Sequence, residues 1–180
     1  MLVNSVKLLR FVNVGVCVFV LTSCSNYPRL LSFSFSDNNK SFNSRSSELN
    51  PSISGQYITF VSDRNSSQDV FLFDAKNRRL IDLPGLNSIE EIASSPSISE
   101  DGRYLLFIAL VQGKSSLFLY DRTTQQKRPL ITQLKNEIRN AMISSNGERI
   151  TFEIANNGQW DIVVTDIKGN VLNIPTNLLQ

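Results

Sequence analysis

Histidine is absent from the 180-residue sequence, and the sequence has only two cysteines and one tryptophan. The absence of histidine removes the commonest general base and the commonest nitrogen ligand for metals. It also excludes a Ser-His-Asp catalytic triad. The charge is nearly balanced, with 18 basic and 16 acidic residues. Because there is no basic excess to neutralise phosphates, we expect no nucleic-acid partner.

A short apolar run near the N-terminus predicts an export signal. Lys7 and Arg10 precede the run, which covers residues 11–21. A transmembrane helix needs about 20 apolar residues, so a secretory signal fits this shorter run better than a membrane span does. The run ends in Leu21-Thr22-Ser23-Cys24, which resembles a bacterial lipobox. We predict that residues 1–23 are a lipoprotein signal peptide and that Cys24 is lipidated. An uncleaved signal anchor and an ordinary secreted protein are the alternatives.

Lipidation at Cys24 has consequences for the composition and location of the mature chain. Cys17 would be lost with the signal peptide, so no internal disulfide and no cysteine metal cluster would remain. Loss of Lys7 and Arg10 would leave 16 basic residues against 16 acidic ones. Ser25 follows the cysteine, and the absence of aspartate there favours the outer membrane by the sorting rules of such lipoproteins. We therefore expect a protein of the bacterial envelope that faces the periplasm.

Residues 24–48 are rich in serine and asparagine, which predicts a tether between the lipid and the folded domain. Within it, residues 29–35 alternate apolar and small polar side chains, as in a half-buried strand. The tether is therefore expected to contain one short strand.

One sequence motif, which we call the repeated phrase, occurs three times in the rest of the chain. Its isoleucines, Ile53, Ile98 and Ile143, are 45 residues apart, and each is followed within a few residues by a glycine. A fixed period of this size is typical of a repeat architecture in which each unit packs against its neighbour.

Each repeat divides into four short strands with glycine-containing turns between them. The first strand holds the repeated isoleucine, and the others are predicted at 57–62, 70–74 and 79–83, at 104–109, 117–121 and 129–132, and at 149–154, 162–166 and 171–174. The third strands are apolar on both faces, as when sheets stack radially. The predicted fold is all-β, with three four-stranded antiparallel propeller blades at about 50–88, 95–135 and 140–176.

The repeated phrase and the motifs Val61-Ser62-Asp63-Arg64 and Asp69-Val70-Phe71-Leu72-Phe73-Asp74 resemble the propeller repeats of the TolB family. The resemblance covers residues 50–174, within a domain predicted at 49–180. It implies a β-propeller that binds proteins of a Tol–Pal-like envelope system without catalysis. TolB also has a separate N-terminal α/β domain, to which nothing here corresponds, and it has six blades, whereas three are predicted here.

Three blades would leave two apolar outer faces bare, which soluble monomers seldom tolerate. A homodimer that closes a six-bladed ring would bury both faces, and the alternative is an arc of three blades that stays open.

Any partner surface is expected on the face of the propeller that carries the longer loops. These loops are predicted at 62–68, 84–95, 111–115, 133–141 and 156–160. Asp63, Arg64 and Trp160 are the candidate partner-binding residues, although passive connections and packing of Trp160 against its own blade are alternatives. Asp74, Asp121 and Asp166 recur at the end of the third strand and are predicted to cap turns.

No catalytic, cofactor-binding or metal-binding residue is predicted. A small-ligand or carbohydrate sensor that uses the central channel of an assembled ring is the alternative function.

Overall fold

A computed structural model describes residues 41–173, and every regular element in that range is a β-strand. The strands are β1 (Glu48–Ser54), β2 (Tyr57–Ser62), β3 (Asp69–Asp74), β4 (Arg79–Ile81), β5 (Glu91–Ile98), β6 (Tyr104–Val111), β7 (Lys114–Asp121), β8 (Gln126–Leu134), β9 (Ile138–Ile143), β10 (Arg149–Asn156) and β11 (Gln159–Asp166). Over the same residues, no helix is long and apolar enough to span a membrane. The predicted signal peptide, Cys24 and the predicted strand at 29–35 lie outside the described residues.

The strands form three antiparallel sheets in chain order, which we call blade 1 (β1–β4), blade 2 (β5–β8) and blade 3 (β9–β11). Each repeat therefore folds as the predicted meander. The predicted fourth strand of blade 3 runs past the last described residue. Its first residue, Val171, forms an isolated antiparallel bridge with Thr165, and the next residue donates its backbone N–H to the carbonyl of Val164 at 2.8 Å.

The core consists of two layers, one between blades 1 and 2 and one between blades 2 and 3. In β6, Leu105 and Phe107 pack toward blade 1, whereas Leu106 and Ile108 pack toward blade 3. Successive side chains of a strand point to opposite faces, so a strand that serves two layers must be apolar throughout. This explains the continuous apolar sequence of the middle repeat.

The outer edge of blade 1 is closed by a side chain instead of a full strand. β4 pairs only with the last three residues of β3, so the backbone of Val70, which faces Val61 of β2 on one side, has no strand partner on the β4 side. The Asn87 carboxamide fills this position, accepting from the N–H of Val70 at 2.9 Å and donating to its carbonyl at 3.0 Å. A side-chain amide thus reproduces the two hydrogen bonds of a strand neighbour.

Two of the loops predicted to be long are two-residue hairpin turns, so those predictions were wrong. β6 and β7 are joined by Gln112-Gly113, with φ of 50° and 75°, and β10 and β11 by Asn157-Gly158, with φ of 48° and 84°. Positive φ at both residues is the type I′ pattern that matches the twist of a hairpin. The β8–β9 connection, predicted to be long, is also short, at residues 135–137. On the face predicted to carry the longer loops, the long connections are residues 63–68 and 82–90.

Candidate functional site

The first strand of every blade, which we call its inner strand, is β1, β5 or β9. Each inner strand contains one residue with a left-handed backbone conformation, at the same position of the repeat. These residues are Asn50 (φ 48°), Ser95 (φ 46°) and Asn140 (φ 53°). The strand register shifts at each of them, which marks a β-bulge. In blades 1 and 2 a proline follows, and proline is tolerated within sheets at bulges because it cannot donate to the ladder. The sequence therefore places one bulge per blade along the inner strands.

The three bulges line a common groove of about 470 Å³, which we call the axial groove. Its lining residues are Asn50, Pro51, Ser52, Ser95, Pro96, Ser97, Asn140, Ala141, Met142 and Glu153. All three blades contribute, because β1, β5 and β9 are each the first strand of a blade and lie next to one another. Most of the lining is backbone, proline and small side chains.

Glu153 is the carboxylate of the axial groove, and its oxygens already have partners. It accepts hydrogen bonds from Arg139 Nε at 2.6 Å and from Asn140 Nδ2 at 2.9 Å. The bond from Asn140, followed by that from Arg139, lowers the pKa of Glu153 below its usual value. Glu153 is therefore ionised at neutral pH and holds the bulge residue Asn140 in place. Among the described residues, no group of three His, Cys, Asp or Glu side chains could hold a metal ion.

The structure does not bring the three candidate partner-binding residues together. Asp63 and Arg64 begin the β2–β3 loop of blade 1, whereas Trp160 lies in β11 of blade 3. Trp160 is therefore in a strand and not in a loop, and the Arg139 guanidinium lies 3.8 Å from its ring centroid. Asp63 accepts the backbone N–H of Ser47 at 3.0 Å.

The three repeated aspartates cap turns, as predicted from their position. Asp74, Asp121 and Asp166 each accept the backbone N–H of the residue two positions later, at 3.0, 2.9 and 2.9 Å. The pKa of Asp121 is lowered chiefly by its side-chain hydrogen bond from Arg103, whose Nη2 lies 2.8 Å from Asp121 Oδ2. The three carboxylates thus hold the ends of their strands.

Comparison with known proteins identifies the architecture. No family model matches the chain. A curated relative, a protein TolB homolog of Chlorobium chlorochromatii (strain CaD3), is 28% identical over 120 residues, which cover 67% of this chain and 26% of the relative. The solved structure of TolB from Acinetobacter baumannii superposes with a TM-score of 0.58 at 22% identity, covering 72% of this chain and 32% of that one.

Two further solved structures are also similar to this fold. The putative TolB from Agrobacterium tumefaciens gives a TM-score of 0.57 at 16% identity, over 72% of this chain and 48% of that one. The β-propeller domain of the Trilobed protease from Pyrococcus furiosus gives 0.52 at 16% identity, over 71% and 42% of the two chains. The three blades form a TolB-like β-propeller arc. The chain matches about a quarter of the curated relative's length, 26%.

The TolB-like arc has a feature that the sequence pattern did not indicate, a buried arginine over its first blade. The side chain of Arg64 is 2% exposed and forms an ion pair with Glu48 at 2.7 Å. Its guanidinium lies 4.6 Å from the ring centroid of Phe71. Nη1 donates to the carbonyl of Ser41 at 2.9 Å and Nη2 to that of Phe42 at 3.0 Å. Arg64 therefore fixes the start of the described chain on blade 1.

Phe42 completes this contact. Its ring centroid lies 5.2 Å from the centroids of both Phe60 and Phe73. These distances are typical of favourable aromatic pairs. Residues 41–47, which belong to the predicted tether, thus pack on the propeller, and we call them the strap. A signal for this contact existed in Phe42, the only aromatic residue within the serine- and asparagine-rich stretch 36–47, but nothing in the sequence indicated its partners.

Proposed function

We propose that this chain is a non-catalytic bacterial envelope protein that binds other proteins through the axial groove and loop face of its TolB-like propeller. Cys24 carries the lipid, and the propeller faces the periplasm, with the outer membrane as the favoured location. The partners are envelope proteins of a Tol–Pal-like system. We include a homodimer in this proposal, because one blade face has no neighbour among the described residues.

The observation that carries the proposal is the axial groove with its three equivalent bulges. β1, β5 and β9 are edge strands of their sheets, so one row of backbone N–H and C=O groups in each has no ladder partner within residues 41–173. Bulges interrupt these edges and turn prolines and small side chains toward the groove. Such a surface suits an extended polypeptide, which is recognised through its backbone and a few side chains.

A small-ligand or carbohydrate site receives less support from this geometry. Such sites need convergent polar groups that are free to orient the ligand. The Glu153 carboxylate is already engaged by Arg139 and Asn140, and Arg139 also occupies a face of the Trp160 ring. A sugar would have to share the Glu153 oxygens with these two donors and use the face of the Trp160 ring that Arg139 leaves uncovered.

Lipidation at Cys24 would also limit where the propeller works. The segment between Cys24 and Ser41 spans at most about 60 Å when fully extended. The partner surface would therefore lie within reach of proteins close to the membrane. Replacement Cys24→Ser should abolish incorporation of a labelled fatty acid, whereas Cys17→Ser should leave it intact.

Site-specific photo-crosslinking in cells tests the binding surface. A photoreactive amino acid is placed at Ser52 in the axial groove, at Lys114 on the loop face, and at Thr124 in the β7–β8 turn on the opposite face as the control. We expect adducts with envelope proteins from the first two positions and none from Thr124. Equal labelling from all three positions, or no adduct from Ser52 and Lys114, would contradict the proposal.

A further inference from the structure

The blades stack through a fixed pairing of two faces. We call face a the side of each blade that holds Phe60, Phe107 or Phe152, and face b the side that holds Val70, Leu117 or Ile162. Face a of blade 2 packs on face b of blade 1, and face a of blade 3 packs on face b of blade 2. Among the described residues, face a of blade 1 and face b of blade 3 therefore have no blade against them.

These two end faces differ. Face a of blade 1 is covered by the strap, where Phe42 packs on Phe60 and Phe73 and Arg64 holds the strap carbonyls. A blade from another molecule could dock there only after the strap contacts were broken. A ring closed by two copies, one of the two assemblies that three repeats allow, requires that break at both of its joints.

Nothing within residues 41–173 covers face b of blade 3. Ile162 is 76% exposed and Met142 60% exposed, and Trp160 on the same face is 38% exposed. The residues equivalent to Ile162 in the other blades, Val70 and Leu117, are fully buried under the next blade. The open face thus continues an interface that the chain already forms twice.

The charges on this face distinguish it from the two internal interfaces. Glu153 occupies the position of Val61 and Ile108, both of which are buried. It is paired with Arg139 at 2.6 Å, and both side chains are partly exposed. The face therefore combines apolar side chains with the Arg139–Glu153 pair, and Arg149 and Asp166 lie opposite each other on the same face, further along β10 and β11. A twofold axis that passes between Arg139 and Glu153 would place each Arg139 near the Glu153 of the other copy, which makes this part of the patch self-complementary.

We infer that face b of blade 3 docks against the same face of a second copy of this chain, related by a twofold axis. Ile162 and Met142 would form the apolar centre, and Arg139 and Glu153 would exchange partners around it. The strap stays in place, because blade 1 takes no part. This inference rests on the homodimer in the proposed function and not on the envelope partner, so the two can fail separately.

Sedimentation equilibrium of the full chain in density-matched detergent measures this association. We expect a monomer–dimer equilibrium, and Ile162→Glu should raise its Kd at least tenfold by placing two carboxylates at the apolar centre. The control is Ile89→Glu, the same substitution at an isoleucine that is 93% exposed in the β4–β5 loop, away from this face. A monomer at all concentrations, or equal effects of the two substitutions, would overturn the inference.

A charge-swap experiment tests the twofold geometry. Arg139→Glu puts two adjacent anions at the position of the ion pair, and Glu153→Arg puts two adjacent cations there, so each variant should dimerise less than the parent chain. Mixed in equal amounts, the two variants should form a heterodimer with a Kd within about tenfold of the parent. Failure of the mixture to restore association would refute the twofold contact, while crosslinking of this face only to a different protein would show that another partner occupies it.

Discussion

Gly102 lies in the turn between β5 and β6, directly against the Tyr57 ring of blade 1. A Cβ at Gly102 would stand 2.3 Å from Tyr57 Cε2 and 2.6 Å from Cζ, and its φ is +71°. The Tyr57 ring packs against the apolar layer between blades 1 and 2, and the Arg122 guanidinium lies 5.3 Å from its centroid, so displacing the ring disturbs both contacts. Arg122 also donates to the carbonyl of Gly102. Gly102→Ala should therefore combine a backbone penalty with a collision across the blade interface.

The two contributions can be separated with a matched control. Gly113 has nearly the same φ, +75°, but nothing lies within 4 Å of its added Cβ. Left-handed backbone costs a non-glycine residue about 1–2 kcal/mol, and both alanine variants should lose that much. The collision at Gly102 should cost about 1–3 kcal/mol more, as is usual for overpacking. At about 4 °C per kcal/mol, Gly102→Ala should melt about 4–12 °C below Gly113→Ala.

Urea denaturation and thermal melting of the single variants give these numbers directly. A double-mutant cycle with Tyr57→Ala identifies the colliding group, since without the ring Gly102→Ala should cost only the backbone penalty. Equal losses for Gly102→Ala and Gly113→Ala would refute the reasoning, as would a cycle without coupling. The first result would mean that the blade interface adjusts freely at this turn.

Three further predictions concern the edge, the strap and the turns. Asn87→Ala should lower the free energy of unfolding by about 1–3 kcal/mol, measured in urea, because both backbone groups of Val70 lose their partner. Arg64→Ala should release the strap and speed tryptic cleavage after Arg45, by about tenfold for each 1.4 kcal/mol of lost contact. Because the folded-state pKa of Asp121 is lowered, its stabilising effect is present above the unfolded pKa of about 4 and is lost as the pH falls through that value toward the folded pKa. Asp121→Asn should therefore flatten the acid limb of the stability curve without changing its slope above about pH 6.

Each of these has a control in the same chain. Asn156→Ala removes an exposed asparagine, and a loss equal to that of Asn87→Ala would argue against the strand-mimic role. Arg139→Ala removes an arginine from blade 3, so cleavage after Arg45 should keep its parent rate. If the stability of Asp121→Asn falls with decreasing pH in the same way as that of the parent chain, the prediction for Asp121 is contradicted.

The repeat made most of the fold predictable from the sequence. A pattern that occurs three times makes each strand assignment less ambiguous than it would be in a single copy. The strands around Ile53, Ile98 and Ile143 could therefore be placed together with their turns. The errors came from loops judged by length alone. Asn157-Gly158 is a strong signal for a type I′ hairpin turn, and this chemistry decides the connection more firmly than the number of polar residues around it.

The axial groove and the Arg64 contact were harder to predict, for a physical reason. The groove depends on bulges, which are set by one residue with positive φ in each inner strand and leave little trace in the hydrophobic pattern. Arg64 looks like an exposed loop residue, yet its guanidinium is buried by carbonyls more than 20 residues earlier in the chain. Contacts of this kind between distant segments have no local sequence signature.

The hydrogen bonds from Arg64 to the strap also affect how the fold responds to mechanical tension. Within the described residues, tension from the N-terminal side would enter at Ser41 and Phe42 and pass through their carbonyls and the Phe42 ring to β2, β3 and the loop between them, in the middle of blade 1. Without this contact, the same pull would act on β1 and peel it away from β2. Because β1 forms one wall of the axial groove, the strap keeps tension away from β1 and so preserves the shape of the groove.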